Sequence, residues 1–429
     1  MRARLKRLLL RVWPVLALLH VYIGAQLLPS YGPAARFAGA MLLGLSALLI
    51  PLGFLRAPRA GLRPARPPRG SSNLGAARRL LESAPRAGLR PARPPRGSRK
   101  LGAALRFLVS HLRSGDAWDK AAWAGFFALG LFSTTLVLTV LRELALLLPA
   151  TGHWARPSAI AVPAAALLVS LVGLFNARRV ARVVDVRVEI PELPPGLDGF
   201  TIVQISDIHV GPTIKAPKVR AIVERVNSLQ PDLVAITGDV VDGAVERLRE
   251  HTAPLGELRA RHGAWLVTGN HEYYSGAGPW LAEFERLGLR CLLDTHVVVS
   301  HDGAEFVLAG VTDPHGQAFD PGHRSDPFQA LEGSPPGLPR ILLAHQPRSS
   351  QLAARAGFDL QLSGHTHGGQ FWPWNHFVGL QQPFTAGLHR VEQLQVYVSR
   401  GTGYWGPPKR FGAPSEITRV RLAARGSRP

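Results

Sequence analysis

Hydrophobic positions fall into two different patterns along the chain. In the first part they form four long runs, at 8–28, 37–55, 121–141 and 158–175. Each approaches the ~20 residues that a helix needs to cross a bilayer, and none leaves the polar face that a helix of a soluble bundle requires. The runs predict four transmembrane helices. From Phe200 onward short apolar runs take over: TIVQIS (201–206), LVAIT (233–237), AWLVT (264–268), EFVLAG (305–310), ILLA (341–344), DLQLS (359–363) and QVYVS (395–399). Between them lie amphipathic segments such as PKVRAIVERVNSL (217–229) and PWLAEFERL (279–287). Strands alternating with helices predict an α/β domain with a substantial sheet. The expected layout is two membrane helices in 1–56, a loop at 57–120, two further helices in 121–180, a linker at 181–199 and a folded domain over 200–429.

Charge sharpens this division. The formal net charge is +21, but residues 198–429 hold 22 basic and 22 acidic side chains, so the whole excess lies in the first 197 residues. A nucleic-acid enzyme carries its basic surface on the catalytic domain. Here the basic residues sit among the apolar runs, which argues against a nucleic-acid partner and reads as membrane topology. Arg2, Arg4, Lys6, Arg7 and Arg11 precede or edge the first run, loop 29–36 has only Arg36, and 56–120 has sixteen basic residues. Loop 142–157 has Arg142 and Arg156, and Arg178, Arg179 and Arg182 follow the fourth run. The alternation predicts an integral membrane protein whose N-terminus and C-terminal domain share the cytoplasmic face; one span more or fewer would reverse the domain. The first run lacks a small-residue cleavage site and three more follow, unlike a cleaved signal peptide. The single cysteine, Cys291, excludes an intrachain disulfide and a cysteine-rich metal site.

The basic loop contains a duplication. APRAGLRPARPPRGS stands at 57–71 and again at 84–98, and the similarity runs on through NLGAARRLLES and KLGAALRFLVS. Two Pro/Arg-rich copies lack the number and the apolar face of a solenoid, so the segment reads as a tandem duplication in an extended, disordered loop. Leu101, Leu105, Leu108 and Leu112 fall at helical spacing. They fit either a short amphipathic helix on an anionic membrane surface or a solvated linker.

Chemistry-bearing residues stand at the ends of the short strands. Asp207 and His209 follow TIVQIS, Asp239 and Asp242 follow LVAIT, and Asn270, His271 and Glu272 follow AWLVT. His345 follows ILLA, and His365 and His367 follow DLQLS. The C-terminal ends of strands are where open α/β sheets place their sites. Each cluster alone has an ordinary explanation as a loop or a satisfied histidine. Together they set oxygen and imidazole groups at five consecutive sheet exits. Carboxylate, amide and imidazole without thiolate suit Mn, Fe or Zn better than a closed structural zinc site. Two carboxylates, an amide and four histidines exceed the needs of one catalytic ion and match two divalent ions with a bridging carboxylate. Such a pair activates water and clamps a phosphoryl group.

In this order, Asp-x-His, Gly-Asp-x-x-Asp, Gly-Asn-His-Glu, a lone His and Gly-His-x-His resemble the calcineurin-like metallophosphoesterases. The resemblance covers about 200–429 and all five blocks are intact. Several spans followed by this domain, with LSGHTHGGQ and VSRGTGYWGPP (398–408), look like the branch of transmembrane proteins with a metallophosphoesterase domain. The resemblance implies an α/β fold of two packed β-sheets flanked by helices, a four-layer sandwich, behind an all-α four-span region. It implies that Asp207, His209 and His367 hold one metal, that Asn270, His345 and His365 hold the other, and that Asp239 bridges them. His271 becomes the catalytic histidine, with Asp242 orienting its ring. Glu272 reads equally as part of the site or as a polar residue opening the next helix. Gly368 and Gly369 let the backbone turn away so that phosphate approaches. The implied reaction is attack of metal-activated water on a phosphomonoester or phosphodiester.

Gly243 follows Asp242 where the protein-phosphatase subgroup has its phosphate-binding arginine, which tells against phosphoprotein substrates. FWPWNHFVGLQQPF (371–384) reads as a lid packed on its own domain or as a lip at the bilayer interface, where tryptophan prefers to lie. The second reading, beside the four spans, makes a lipid-linked phosphate ester the expected substrate and membrane lipids the expected partners. Gly401, Gly403 and Tyr404–Gly406 are the expected adjoining wall. Two other functions compete. A catalytically idle scaffold or sensor would have lost a ligand or the catalytic histidine, and neither is lost. A transporter would line its spans with charged residues, and these runs have few.

Overall fold

The computed structural model describes residues 2–54, 115–149 and 151–424. The duplicated Pro/Arg unit and the amphipathic stretch around Leu105 lie outside the described residues. Apart from the first turn of the helix Gly115–Leu146, the elements below lie in the compact unit formed by Met1–Arg56 and Asp119–Pro429.

Among the described residues, four helices are long and apolar enough to span a membrane. They are α1 (Arg2–Leu27), α2 (Pro33–Phe54), α3 (Gly115–Leu146) and α4 (Ala155–Arg178). Ile23, Leu27, Ile50, Phe132, Ala159 and Val162 pack between them. Leu18, Leu42, Leu168 and Phe175 face outward, each more than half exposed. Large apolar side chains on the outside of a bundle suit a lipid solvent.

The described residues from Arg182 onward form twelve strands: β1 (Arg182–Ile190), β2 (Thr201–Ile205), β3 (Leu233–Ile236), β4 (Ala264–Leu266), β5 (Arg290–Cys291), β6 (Thr295–His301), β7 (Ala304–Gly310), β8 (Arg340–Leu343), β9 (Leu360–Ser363), β10 (Gly387–Val391), β11 (Leu394–Val398) and β12 (Glu416–Ala424). They pair into two six-stranded sheets, β1-β12-β2-β3-β4-β5 and β10-β11-β9-β8-β7-β6. β2, β3, β4 and β5 run parallel in the first sheet, as do β7, β8, β9 and β11 in the second.

Alternation along each strand explains the layers. Ile202, Leu233, Ala235 and Trp265 face Leu308, Ile341, Leu343, Leu360 and Leu362 in a core between the sheets. Their neighbours Val203, Val234, Ile236 and Leu266 turn outward onto Val219, Ile222, Val223, Trp280 and Phe284 of the flanking helices. Across the molecule, Leu342, Val396 and Val398 meet Ala353, Ala354 and Phe358. Both faces of each sheet are covered, which is why these strands read as unbroken apolar runs. The result is a helix–sheet–sheet–helix sandwich.

The sandwich is bonded to the spans through its loops. Asp119 of α3 accepts from Lys215 Nζ at 2.6 Å and from Arg247 Nη2 at 3.3 Å. Lys218 donates to the carbonyls of Arg178 and Arg179, capping the C-terminal end of α4. Trp374 Nε1 donates to Ser133 Oγ of α3 at 2.9 Å.

Candidate metal centre

Strands β2, β3, β4, β8 and β9 end at one edge, and the loops leaving them carry the polar side chains inward. Asp207, His209, Asp239, His365 and His367 all have left-handed backbones, with φ of 53°, 55°, 53°, 70° and 52°. Non-glycine residues rarely adopt this conformation, and it gathers where a site over-determines the chain. It turns each residue back across its strand end. Gly364 has to lack a side chain, because a Cβ there would strike Ser206 Oγ and Asp207 Oδ2.

Three sets of ligand atoms converge. Asp207, His209 and His367 form one, Asp239, His345 and His365 a second, and His209, Asp242 and His271 a third; within each set the atoms lie within 4.8 Å of one another. His209 Nε2 is 3.0 Å from His367 Nε2, and His345 Nε2 is 3.2 Å from both Asp239 Oδ2 and His365 Nδ1. Asp239 Oδ2 also lies 3.8 Å from His209 Nε2, placing it between the first two sets. Asn270 Oδ1 is buried without a hydrogen-bond partner.

Hydrogen bonds on the outer ring nitrogens fix which nitrogen faces the centre. His209 Nδ1 donates to Asp242 Oδ1 at 3.1 Å and His345 Nδ1 donates to the Thr237 carbonyl at 2.7 Å. Both Nε2 lone pairs therefore point inward, as metal ligands require. Burial opposes a second proton on His345, yet Asp239 outweighs it and holds this imidazole well above its ordinary pKa. Such a proton would sit on Nε2, in the place where a metal ion would otherwise take the lone pair. Burial and the neighbouring His345 push His365 down to about 3, while burial, Arg410 and His209 depress His367, so both are neutral. An unpartnered buried amide oxygen, two carboxylates and four imidazoles around one small space are short of positive charge. The residues present fit two divalent cations.

His271 lies at the rim with Nδ1 2.5 Å from Asp242 Oδ1, and its backbone N–H donates to Asp239 Oδ1 at 2.9 Å. Burial works against a charged ring, but Asp239 and Asp242 outweigh it and raise the pKa to about 9. The Tyr274 and Trp405 rings flank His271 at 5.4 and 5.7 Å. Trp405 is 44 % exposed, whereas Tyr404 is buried with its hydroxyl on the Thr213 carbonyl. Of the expected wall, Trp405 faces outward and Tyr404 does not.

Two residues beyond the sequence-derived set hold the centre together. Glu272 is fully buried and accepts the N–H groups of Gly269 at 2.7 Å, Asp239 at 2.9 Å and Val240 at 2.8 Å. Burial and Asp239 push its carboxyl up to about 7, but only an ionised carboxylate satisfies that many donors. It clamps the Asp239 loop and, through the Gly269 N–H, also opens the helix that begins at Asn270, so it does both. Arg410 is 1 % exposed and donates to the Gly403, His367 and Ala413 carbonyls and to His367 Nδ1 at 3.1 Å. Because Arg410 only donates, His367 Nδ1 accepts here and its Nε2 carries the proton; ligation through Nε2 would move that proton toward Arg410. A basic pair directly after Pro407-Pro408 was the available sequence signal. Gly368 and Gly369 turn the backbone with φ of 58° and 76°, and the space beside Gly369 is filled by the Asn375 backbone, so this glycine also seats the aromatic loop.

Comparison with known proteins agrees with this geometry. The family profile described as calcineurin-like phosphoesterase matches residues 200–369. A "Transmembrane protein with metallophosphoesterase domain" of Bos taurus is 44% identical over 277 residues, covering 61% of this chain and 62% of that protein. One of Danio rerio with the same name is 41% identical over 263 residues, covering 59% and 60%. The chain thus spans about three fifths of the length of these two relatives. An "Uncharacterized metallophosphoesterase" of Aquifex aeolicus is 33% identical over 254 residues, covering 57% of this chain and 93% of that protein. With its sandwich, its strand-end ligands and a relative matched over nearly its whole length, the chain belongs to the calcineurin-like metallophosphoesterase family.

Proposed function

We propose that this chain is a membrane-anchored phosphohydrolase that uses two divalent ions to hydrolyse a phosphomonoester or phosphodiester. The observation that carries the reading is the convergence of seven groups able to ligate a metal, with Asn270 Oδ1 left unpartnered, on one buried space. Asp207, His209 and His367 would hold one ion, Asn270, His345 and His365 the other, and Asp239 would serve both. Mn, Fe and Zn suit this donor set. When bound, such a pair supplies Lewis acidity and a lowered pKa for water. The remaining work falls to the side chains. Asp242 accepts the Nδ1 proton of His271, which directs Nε2 toward the rim, where it can hold a proton for the departing oxygen. Asp242 also orients His209, so one carboxylate sets two rings.

The proposed substrate is lipid-linked, with the catalytic domain on the cytoplasmic face. Trp374, bonded to Ser133 of α3, and the exposed Phe377 and Leu380 support this reading, because they form an apolar lip on the flank of the bundle. The basic residues at the ends of the spans support the orientation.

The test is metal analysis of the purified full chain, followed by hydrolysis of p-nitrophenyl phosphate and bis(p-nitrophenyl) phosphate. Two bound ions per chain and turnover lost on chelation are expected. A chain that binds none of Mn, Fe or Zn would overturn the reading.

A further inference from the structure

A second polar cavity, of about 160 Å³, opens where α4 leaves the bundle and β1 begins. Asn176, Arg179, Arg182, Arg410 and Ser415 line it, and no carboxylate does. The acidic residues nearby in sequence are engaged elsewhere: Asp185 with Arg419 at 2.5 Å, and Glu416 with Arg400 at 2.9 Å and Tyr397 at 2.7 Å. Arg410 places a buried positive charge behind the wall. Its own donors are consumed by carbonyls and His367, and the carboxylates of Asp207 and Glu416 offset part of its charge, so the donors left for a ligand are those of Arg179 and Arg182. The cavity is a concave, positively charged space with free donors at its mouth.

Its position selects the ligand. The Arg179 guanidinium lies 5.5 Å over the ring of Phe175, a residue 63 % exposed on the lipid-facing side of α4. Val180, also in the lining, is 41 % exposed. A molecule that fills this site meets arginine on one side and the apolar edge of the bundle on the other. A free anion would use only the first. An amphiphile with an anionic head uses both, and basic pockets beside membrane helices are suited to such heads.

We propose that this cavity binds the phosphate of an anionic phospholipid, held by Arg179 and Arg182 with its chains along the face of α4 near Phe175. The site is separate from the candidate metal centre and shares with it only the wall residue Arg410, so it does not depend on hydrolysis.

The test uses the full chain in detergent with a chelator present, and soluble dioctanoyl lipids as probes. Binding is read from intrinsic tryptophan fluorescence. Dioctanoyl phosphatidylglycerol is expected to bind about tenfold or more tightly than dioctanoyl phosphatidylcholine, from two arginines at the surface. It should exceed inorganic phosphate by at least as much. The double variant Arg179→Gln/Arg182→Gln should lose that preference. Arg225→Gln/Arg355→Gln, which removes the same charge from exposed positions of the sandwich, should keep it. Both pairs are exposed, and an unchanged melting temperature without lipid establishes that the variants fold. Equal binding of the two lipids, or a preference that survives Arg179→Gln/Arg182→Gln, overturns the proposal. Inorganic phosphate binding as tightly as the anionic lipid overturns it too, in favour of a soluble anion.

Discussion

The candidate metal centre and the junction with the spans are both built from buried polar groups on loops, but only the junction is internally matched. At the centre, groups able to bind a metal crowd one another: His209 Nε2 confronts His367 Nε2 at 3.0 Å, and Asp239 sits among three histidines. Where the loop around Lys409 enters the junction, each donor meets an acceptor. Lys409 Nζ donates to the Gly130 carbonyl at 3.2 Å, to Thr134 Oγ1 and to Ser170 Oγ at 3.0 Å, all on α3 and α4. Arg410 N–H donates to the Gly173 carbonyl, and Asn176 donates back to the Arg410 carbonyl. Matched groups hold structure. Unmatched groups call for a ligand, cations at the centre and an anion at the arginine cavity. Lys409 and Arg410, adjacent in sequence, face opposite ways and tie the two regions together.

If this contrast is right, the largest effect belongs to the residue that meets substrate. His271→Ala should lower kcat by about 10²–10⁴-fold while bound metal, measured by elemental analysis, stays at the wild-type level. Loss of metal in this variant would make His271 a ligand and redraw the centre.

Glu272 comes next. Glu272→Gln keeps the shape but puts an NH₂ group against backbone N–H groups, freeing the Asp239 loop. Metal affinity should fall about 10–100-fold, the usual consequence of disturbing a residue that orients a ligand. Turnover at saturating metal should recover most of its value, which distinguishes positioning from direct participation in the chemistry.

The order of these effects matches how readily each residue could be read from sequence. Asp207, His209, Asp239, His271, His345, His365 and His367 stand at strand ends, and strand ends follow from apolar periodicity, so the structure's gathering of them continues a local pattern. The sandwich was legible for the same reason: Ile202 and Val203 point to different layers because alternate strand residues must. Glu272 was ambiguous because its partners are backbone N–H groups, which no side-chain pattern records. Arg410 carried only the weak signal of a basic pair after two prolines, because it reaches His367 across 43 positions of sequence. The left-handed φ at Asp207, His209, Asp239, His365 and His367 has no marker either, since none is glycine. Local alternation carries the layers; contacts made by folding carry the fine positioning.

The smallest effect should fall on Lys409, although it is as buried as any ligand at the centre. Burial holds its pKa down to about 8, so its place in the bundle already costs desolvation. Lys409→Met keeps the stem against Phe371 and α4 and removes only the ammonium. Of the acceptors left behind, Thr134 Oγ1 still donates to the Gly130 carbonyl at 3.2 Å, and Ser170 Oγ is the one that loses its partner. The loss should be about 1–2 kcal/mol, seen as a modest fall in the melting temperature of the solubilised chain, with kcat within about twofold of wild type. Adding Thr134→Val, which removes the hydroxyl facing the former ammonium, should return part of the stability, because an apolar pair of similar shape replaces a polar one. A loss of activity in Lys409→Met comparable to that of His271→Ala would mean that the spans do more than hold the loop, and that the junction belongs to the chemistry.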